Sequence, residues 1–195
     1  MIRRSAPVAL ALATVVAAAA WAAIMPQRVL DPNDTPGRLD VRVVRFEDPP
    51  GTGPEWTVIT FDPWTVGQMW DRGWVYLLLD TRGDEAADHL VVVRSDGRRL
   101  LGSLWRVATG TGRDRYLRAV AAEKVGERAA WVRLPLRALT FGPSRTFYRW
   151  WVQTWWECEG RCADRAPDVG SELTYRPGMS PSPSPSPSPE PPPEP

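Results

Sequence analysis

Apolar and polar residues alternate with a period of two along most of the chain, the pattern of β-strands with one buried face. The segment 74–80 is instead a nearly continuous apolar run, so we predict a central strand buried on both faces. Helical periodicity is confined to 65–72, between the Asp62-Pro63 breaker and Gly73, where we predict one short helix. The predicted strands are 39–47, 56–61, 74–80, 89–94, 98–105, 116–125, 129–136 and 146–156.

Short turns join neighbouring predicted strands. The clearest is Ser95-Asp96-Gly97, because Gly97 can adopt a positive φ at no steric cost and so close a hairpin. A second hairpin turns at Gly126 and Glu127. Antiparallel strands with short connections predict an all-β fold, which we interpret as a jelly-roll-like β-sandwich of about seven or eight strands with one short helix.

The N-terminal segment has the layout of an export signal. Arg3 and Arg4 precede an apolar run over 6–24, and the small residues Ala20 and Ala22 form a site for signal peptidase. We therefore predict a signal peptide over 1–22 and an extracellular or cell-wall location. The alternative is an uncleaved membrane anchor, since the run is about long enough to cross a bilayer.

The C-terminal segment 179–195 is composed of Ser-Pro repeats followed by Pro and Glu. Such a composition cannot build a core and favours an extended, polyproline-type disordered tail. The tail either spans or contacts the cell wall, carries sugars on its serines, or is inert. Residues 28–178 remain, a length typical of one compact domain.

Composition narrows the classes of partner. The formal charge is +1 with no block of like charge in the domain, which argues against nucleic acid. Lys124 is the only lysine among 24 Lys and Arg residues, a bias typical of GC-rich, actinobacterial genomes. Cys158 and Cys162 are the two cysteines, and in an oxidising compartment this spacing predicts a small disulfide loop.

An acidic loop before the first predicted strand supplies oxygen ligands suited to calcium, which binds six to eight oxygens. A second acidic loop, 162–168, follows the last predicted strand, and first and last strands of a sandwich are often neighbours. The alternative is two ordinary surface turns, because Asp, Asn and Pro favour turns. The predicted calcium ligands are Asp31, Asn33, Asp34 and Asp40 from the first loop, with Asp164 and Asp168 from the second.

A third acidic group, Asp80, Asp84, Glu85 and Asp88, lies between two predicted strands. It either binds a second cation or is solvated. Asp80 and Asp88 stand at strand ends, where carboxylates can accept backbone N–H groups.

Tryptophan is unusually frequent, with 11 in the chain, and the last predicted strand is the richest in aromatic residues. One face of that strand carries Arg149, Trp151, Gln153 and Trp155, a mixture of rings and polar groups that suits a sugar. A cell-wall polysaccharide is the partner that this face predicts. The alternative is that these aromatic residues fill the core.

Four stretches carry a resemblance: DPNDTPGRLDVRVV, LLLDTRGDEAADHLVVVRSDGRRLLGSLWR, FYRWWVQT and CADRAPDVG. Together they resemble a group of small secreted actinobacterial proteins. The pattern is also distantly similar to carbohydrate-binding and DOMON-like β-sandwich modules, some of which hold calcium between their first and last strands. The distant similarity implies a binding or structural module, with Asp31, Asp34, Asp40 and Asp168 at an ion-binding edge.

Catalytic motifs are sparse. A serine or cysteine triad must use His89, the single histidine, and no G-x-S-x-G elbow or glycine-rich phosphate loop is present. Hydrolysis of glycosides by paired carboxylates remains an alternative. We predict a secreted binding or cell-envelope structural module, calcium-stabilised and without catalysis; a membrane is a partner only if the N-terminal segment is uncleaved.

Overall fold

The computed structural model describes residues 27–49, 52–135, 137–139, 148–157, 162–167 and 173–175. These residues are mostly antiparallel β-structure, which confirms the all-β prediction. The strands are β1 (Gln27–Leu30), β2 (Val41–Glu47), β3 (Glu55–Thr60), β4 (Gly73–Asp80), β5 (His89–Ser95), β6 (Leu100–Arg106), β7 (Arg115–Val125), β8 (Ala129–Arg133), β9 (Tyr148–Trp156), β10 (Ala163–Ala166) and β11 (Leu173–Tyr175). One helix, α1 (Val66–Met69), lies between β3 and β4.

The described strands belong to one continuous sheet, in the order β1-β2-β3-β8-β7-β6-β5-β4-β9-β10, with β11 also paired to β9. Strand β7 is 11 residues long, and its two ends pair with different strands, which makes the sheet continuous. Its first part, up to Val120, pairs with β6, and its last part, from Ala121, pairs with β8. The sheet therefore has two halves joined through β7.

This arrangement differs from the predicted β-sandwich of about seven or eight strands. The described residues contain eleven strands in a single sheet that nearly forms a barrel. The extra strands β1, β10 and β11 have three or four residues each, too few for alternation to reveal them. Strand β10 lies inside 162–168, which the sequence suggested to be a loop.

The two halves of the sheet pack their inner faces against each other. The ring of Phe46 on β2 lies 5.0 Å from Trp56 on β3 and 5.7 Å from Trp150 on β9, measured between ring centroids. Trp56 also meets Trp150 edge to face at 6.1 Å. These contacts connect the two halves, so a single core holds the sheet together.

Strand β4 is central, between β5 and β9. Its inner residues Val75, Leu77 and Leu79 are at most 2% exposed. Its outer residues, among them Trp74 and Tyr76, are partly exposed, so the prediction of burial on both faces is wrong. The outer face lacks a second layer among the described residues, which a local apolar run cannot reveal.

The helix is shorter than the predicted 65–72. Thr65 caps its N-terminus, and its hydroxyl accepts the Gln68 N–H while the Gln68 side chain accepts the Thr65 N–H. The helix ends at Met69 because Trp70 is extended and Asp71 adopts a left-handed φ of 60°. No helix among the described residues has the length and apolar character that a membrane span requires. The predicted signal peptide 1–22 and tail 179–195 lie outside the described residues.

Candidate cation site at the closing edge of the sheet

Side chains, rather than a backbone ladder, connect β10 to the start of β2. The Val41 N–H donates to Asp164 Oδ2 at 2.6 Å, and the Thr154 hydroxyl on β9 donates to the Leu39 carbonyl at 2.6 Å. The chain that precedes Val41 is therefore fixed against β9 and β10. It contains the acidic loop that the sequence singled out.

The fold brings carboxylates from both acidic loops together at this edge. Asp31, Asp34 and Asp164 each offer one oxygen, and these three oxygens lie within 4.8 Å of one another. Asp40 lies near this group, since burial and then the charges of Asp164 and Asp34 raise its pKa. We name these four residues the edge cluster.

The loop between β1 and β2 holds its carboxylates in place through backbone contacts. The Asp31 N–H donates to the Arg42 carbonyl, and the Asp40 carbonyl accepts from Phe61 at 2.9 Å. Gly37 adopts φ of 129° where the loop approaches Trp156, and a Cβ at this position would lie 3.4 Å from the Trp156 Cβ. Glycine is therefore required at this turn.

Asp164 is only 5% exposed and accepts backbone N–H groups on both oxygens, from Val41 at 2.6 Å and from Arg165 at 2.7 Å. Burial nevertheless raises the pKa of Asp164 above its ordinary value. The Thr35 hydroxyl lies 3.3 Å from Asp34 and 3.4 Å from Asp164. It has one proton, so it can satisfy only one of these two carboxylates.

Asp40 is the least compensated member of the edge cluster. It is 3% exposed, and its Oδ1 has no hydrogen-bond partner among the described residues. Burial, followed by the charge of Asp164, raises the pKa of Asp40 to about 6, although a backbone hydrogen bond from Thr35 opposes the shift. The ion pairs between described residues include none to Asp34, Asp40 or Asp164.

Two other predicted calcium ligands are not part of the edge cluster. Asn33 is exposed, and Asp168 lies outside the described residues. Cys158 also lies outside them, so the predicted disulfide stays a prediction. Cys162 is 3% exposed, and its carbonyl accepts the Trp156 N–H at 3.0 Å, which places the start of β10 beside the end of β9.

The third acidic group forms a separate cluster in the β4–β5 loop, where Asp80, Asp84 and Asp88 place their oxygens within 4.8 Å of one another. We name these three residues the loop cluster. Asp88 accepts the Thr81 N–H and the Arg82 N–H, each at 2.8 Å, and the Arg82 guanidinium pairs with both Asp88 and Asp84.

Asp80 has equally complete partners. It accepts N–H groups from Arg82 at 3.0 Å and from Glu85 at 3.1 Å, and a further short one from Gly83. Gly83 has φ of 73°, which lets the loop curl around this carboxylate. Backbone donors thus surround the loop cluster where a cation would otherwise bind.

The outer face of β9 presents its predicted sugar-binding residues unequally. Trp151 is 5% exposed, with the Arg165 guanidinium 5.1 Å from its ring centroid. Arg149 pairs with Glu85 at 3.2 Å, and Gln153 is partly exposed. Trp155 is 37% exposed and contacts Trp74 of β4 at 4.8 Å, but the two rings meet at 51° and do not form a flat platform.

An aromatic residue that the sequence did not single out is more exposed than any of these. Trp70, after α1, is 55% exposed and lines a cleft of about 210 Å³ with Trp74. Sequence spacing gave no signal for Trp70, because it lies on no alternating face and its exposure depends on where α1 ends.

His89 cannot serve as an accessible catalytic base. It is 1% exposed at the start of β5, and burial lowers its pKa. Among the described residues, the chemistry that remains is that of carboxylates and exposed tryptophans. Comparison with protein-family models, with curated proteins and with solved structures finds no match for the chain.

Proposed function

We propose that the protein is an exported binding or cell-envelope structural module without catalysis, in which a calcium ion at the edge cluster closes the sheet. One observation carries the proposal. Three carboxylate oxygens from opposite ends of the domain converge within 4.8 Å, beside a buried Asp40 whose Oδ1 has no hydrogen-bond partner among the described residues.

The energetics of the edge cluster favour a bound cation. Buried carboxylates lose hydration and repel each other, which is why the pKa values of Asp40 and Asp164 are raised. A divalent cation removes both penalties at once. Calcium fits better than magnesium because its shell of six to eight oxygens tolerates irregular geometry and accepts water beside protein ligands.

The position of the edge cluster gives the ion a structural role. Asp31 and Asp34 belong to the loop between β1 and β2, whereas Asp164 belongs to β10, at the other end of the strand order. An ion held between them connects the two ends where direct strand pairing is missing. Calcium would thus stabilise the folded state and not take part in a reaction.

Thermal unfolding of the full-length protein with calcium, with chelator and with magnesium tests the proposal. A ligand that binds only the folded state adds about 2.7 kcal/mol at a hundredfold excess over Kd. Extracellular modules bind calcium at roughly 0.1 to 1 mM, so millimolar calcium is the right trial concentration. We expect a higher Tm in calcium than in chelator, and a smaller shift in magnesium.

Two matched variants locate the effect. Asp34 and Asp84 are both exposed members of a three-carboxylate group. Asp34→Ala should abolish the calcium shift, whereas Asp84→Ala should leave it intact. A Tm that is the same in calcium and chelator, or an equal loss of the shift in both variants, would contradict the calcium site.

Polysaccharide binding is a second candidate function, favoured by the exposure of Trp155 and its contact with Trp74 on the outer face of the sheet. Indole faces stack on the C–H faces of sugars. Polar side chains on the solvent-exposed outer face of the sheet can hydrogen-bond the sugar hydroxyl groups. The proposed export to the cell wall would bring this face to polysaccharides. Binding to insoluble cell-wall polysaccharide, lost in Trp155→Ala, is the simplest test.

A further inference from the structure

A small cleft opens where α1, β4 and the β5–β6 hairpin meet. Trp70 and Trp74 line it together with Asp71, Arg94 and Asp96. Its volume of about 210 Å³ equals that of about seven liquid waters at roughly 30 Å³ each. That is below the roughly 300 Å³ of pockets for drug-sized ligands, so the cleft has room for one small ring.

The cleft is held by contacts that fix its walls. The buried Ser95 hydroxyl donates to the Val66 carbonyl of α1 at 2.5 Å and accepts the Gly97 N–H at 2.9 Å. Ser95 therefore ties the helix to the hairpin turn. Trp70 lies over Gly97, where an added Cβ would be 3.7 Å from the indole, and Trp74 is supported by the ring of Trp155.

The lining of the cleft combines the exposed Trp70 and the partly exposed Trp74 with polar side chains. Indoles supply flat apolar faces, while Arg94 is a donor and Asp71 and Asp96 are acceptors that remain exposed to solvent. A ligand that matches both features has a flat C–H face and hydroxyl groups around its edge. A pyranose ring has this chemistry.

The charge of the cleft disfavours an anionic ligand, because Asp71 and Asp96 outnumber Arg94 in its lining. Backbone N–H groups of Arg99 and Arg98 donate to Asp96 at 2.8 and 2.9 Å, and they lower its pKa. Asp96 is therefore held as a carboxylate and is unsuited to the proton-donating role that one carboxylic acid plays in a glycosidase. Arg94 offsets part of the negative charge.

We infer that this cleft binds one sugar ring of a neutral polysaccharide without cleaving it. The inference rests on the second candidate function above and locates that function at the end of α1, not on the outer face of β9. It shares no residue with the edge cluster, so it is independent of calcium.

The test uses isothermal titration of the full-length protein with cellohexaose and chitohexaose, and with an oligogalacturonate as an anionic probe. We expect the protein to bind a neutral oligosaccharide, and Trp70→Ala to weaken that binding by about tenfold or more, as loss of a stacking face implies. Arg94→Ala should also weaken binding. Trp70→Phe keeps a ring and should retain part of the affinity, and thermal unfolding verifies that each variant is folded.

Tyr116→Ala is the matched control, because Tyr116 is an exposed aromatic residue at 51% that does not line the cleft. Its binding should equal that of the parent protein. Failure of the parent protein to bind either neutral probe would overturn both the cleft and the second candidate function.

Binding that survives Trp70→Ala and Arg94→Ala but is lost in Gln153→Ala would overturn the cleft alone and return the sugar to the face of β9. Preference for the anionic probe would overturn the neutral assignment. Release of new reducing ends during incubation would overturn the claim that the sugar is not cleaved.

Discussion

The edge cluster and the loop cluster each include three carboxylates that place oxygens within 4.8 Å of one another, but the two clusters differ in what balances the negative charge. In the loop cluster, Asp88 accepts backbone N–H groups and pairs with the Arg82 guanidinium. In the edge cluster, no ion pair between described residues reaches Asp34, Asp40 or Asp164.

The comparison teaches that proximity of acidic residues does not by itself indicate a cation site. A carboxylate that accepts backbone donors and also pairs with a guanidinium, as Asp88 does, is stabilised as an anion by the protein, so it gains little from a metal. Asp40 has a raised pKa, and its Oδ1 has no hydrogen-bond partner among the described residues. Its anionic form is therefore destabilised, and a bound cation would stabilise it strongly. Both clusters look alike in the sequence.

The largest expected loss of stability comes from replacing Asp164, a member of the edge cluster that is 5% exposed. Asp164→Ala removes a cation ligand and leaves the Val41 N–H without its acceptor. In saturating calcium we expect a loss of about 4 to 6 kcal/mol in the free energy of unfolding, and in chelator only about 1 to 3 kcal/mol. Urea unfolding in both buffers measures the difference, and equal losses would remove the distinction between the clusters.

The next effect concerns the core beneath the loop cluster. Leu79 is 0% exposed and directly precedes Asp80. Leu79→Ala should cost about 2 to 5 kcal/mol through lost burial and a cavity. The loss should be the same with calcium and with chelator, and a cost under about 1 kcal/mol by urea unfolding would show that β4 is not central.

Asp88→Ala is the matched counterpart of Asp164→Ala, because Asp88 is 6% exposed and also accepts backbone N–H groups. Removing it leaves the Thr81 N–H without its acceptor and the Arg82 guanidinium without its Asp88 partner, which should cost about 1 to 3 kcal/mol. Urea unfolding should give the same loss with and without calcium. A calcium-dependent loss would instead assign a cation to the loop cluster.

The smallest expected effect is a pH dependence of the free energy of unfolding in metal-free protein. The pKa of Asp40 is raised to about 6 from 3.8, so the folded state holds its proton more tightly than the unfolded chain does. Asp40 therefore contributes stability at low pH that is lost as pH rises through 6. From pH 5 to pH 7 the loss attributable to Asp40 should be about 1 kcal/mol.

Comparison with Asp40→Asn isolates this contribution, because burial lowers the pKa of His89 and makes its contribution opposite in sign. The difference in unfolding free energy between parent and variant, measured at pH 5 and at pH 7 in chelator, should change by that amount. Calcium should bind more weakly at pH 5, since it must displace the proton of Asp40. No change in the difference would show that Asp40 titrates normally.

The sequence by itself determined where most strands lie and where the acidic residues cluster. Burial on one face of a strand imposes a period of two locally, so 89–94 and 116–125 differ from β5 and β7 by one residue at one end. The helix start was equally local, because Thr65 and Gln68 form a capping box.

Only the tertiary structure decided how the two ends of the sheet meet and which residues remain exposed. Val41 and Asp164 are 123 positions apart, so their hydrogen bond depends on the path of the whole sheet through β7. Trp151 and Trp155 alternate onto the same face of β9, yet Arg165 of β10 covers the first while the second stays exposed. Burial and pKa arise from contacts between distant segments, and no local pattern contains them.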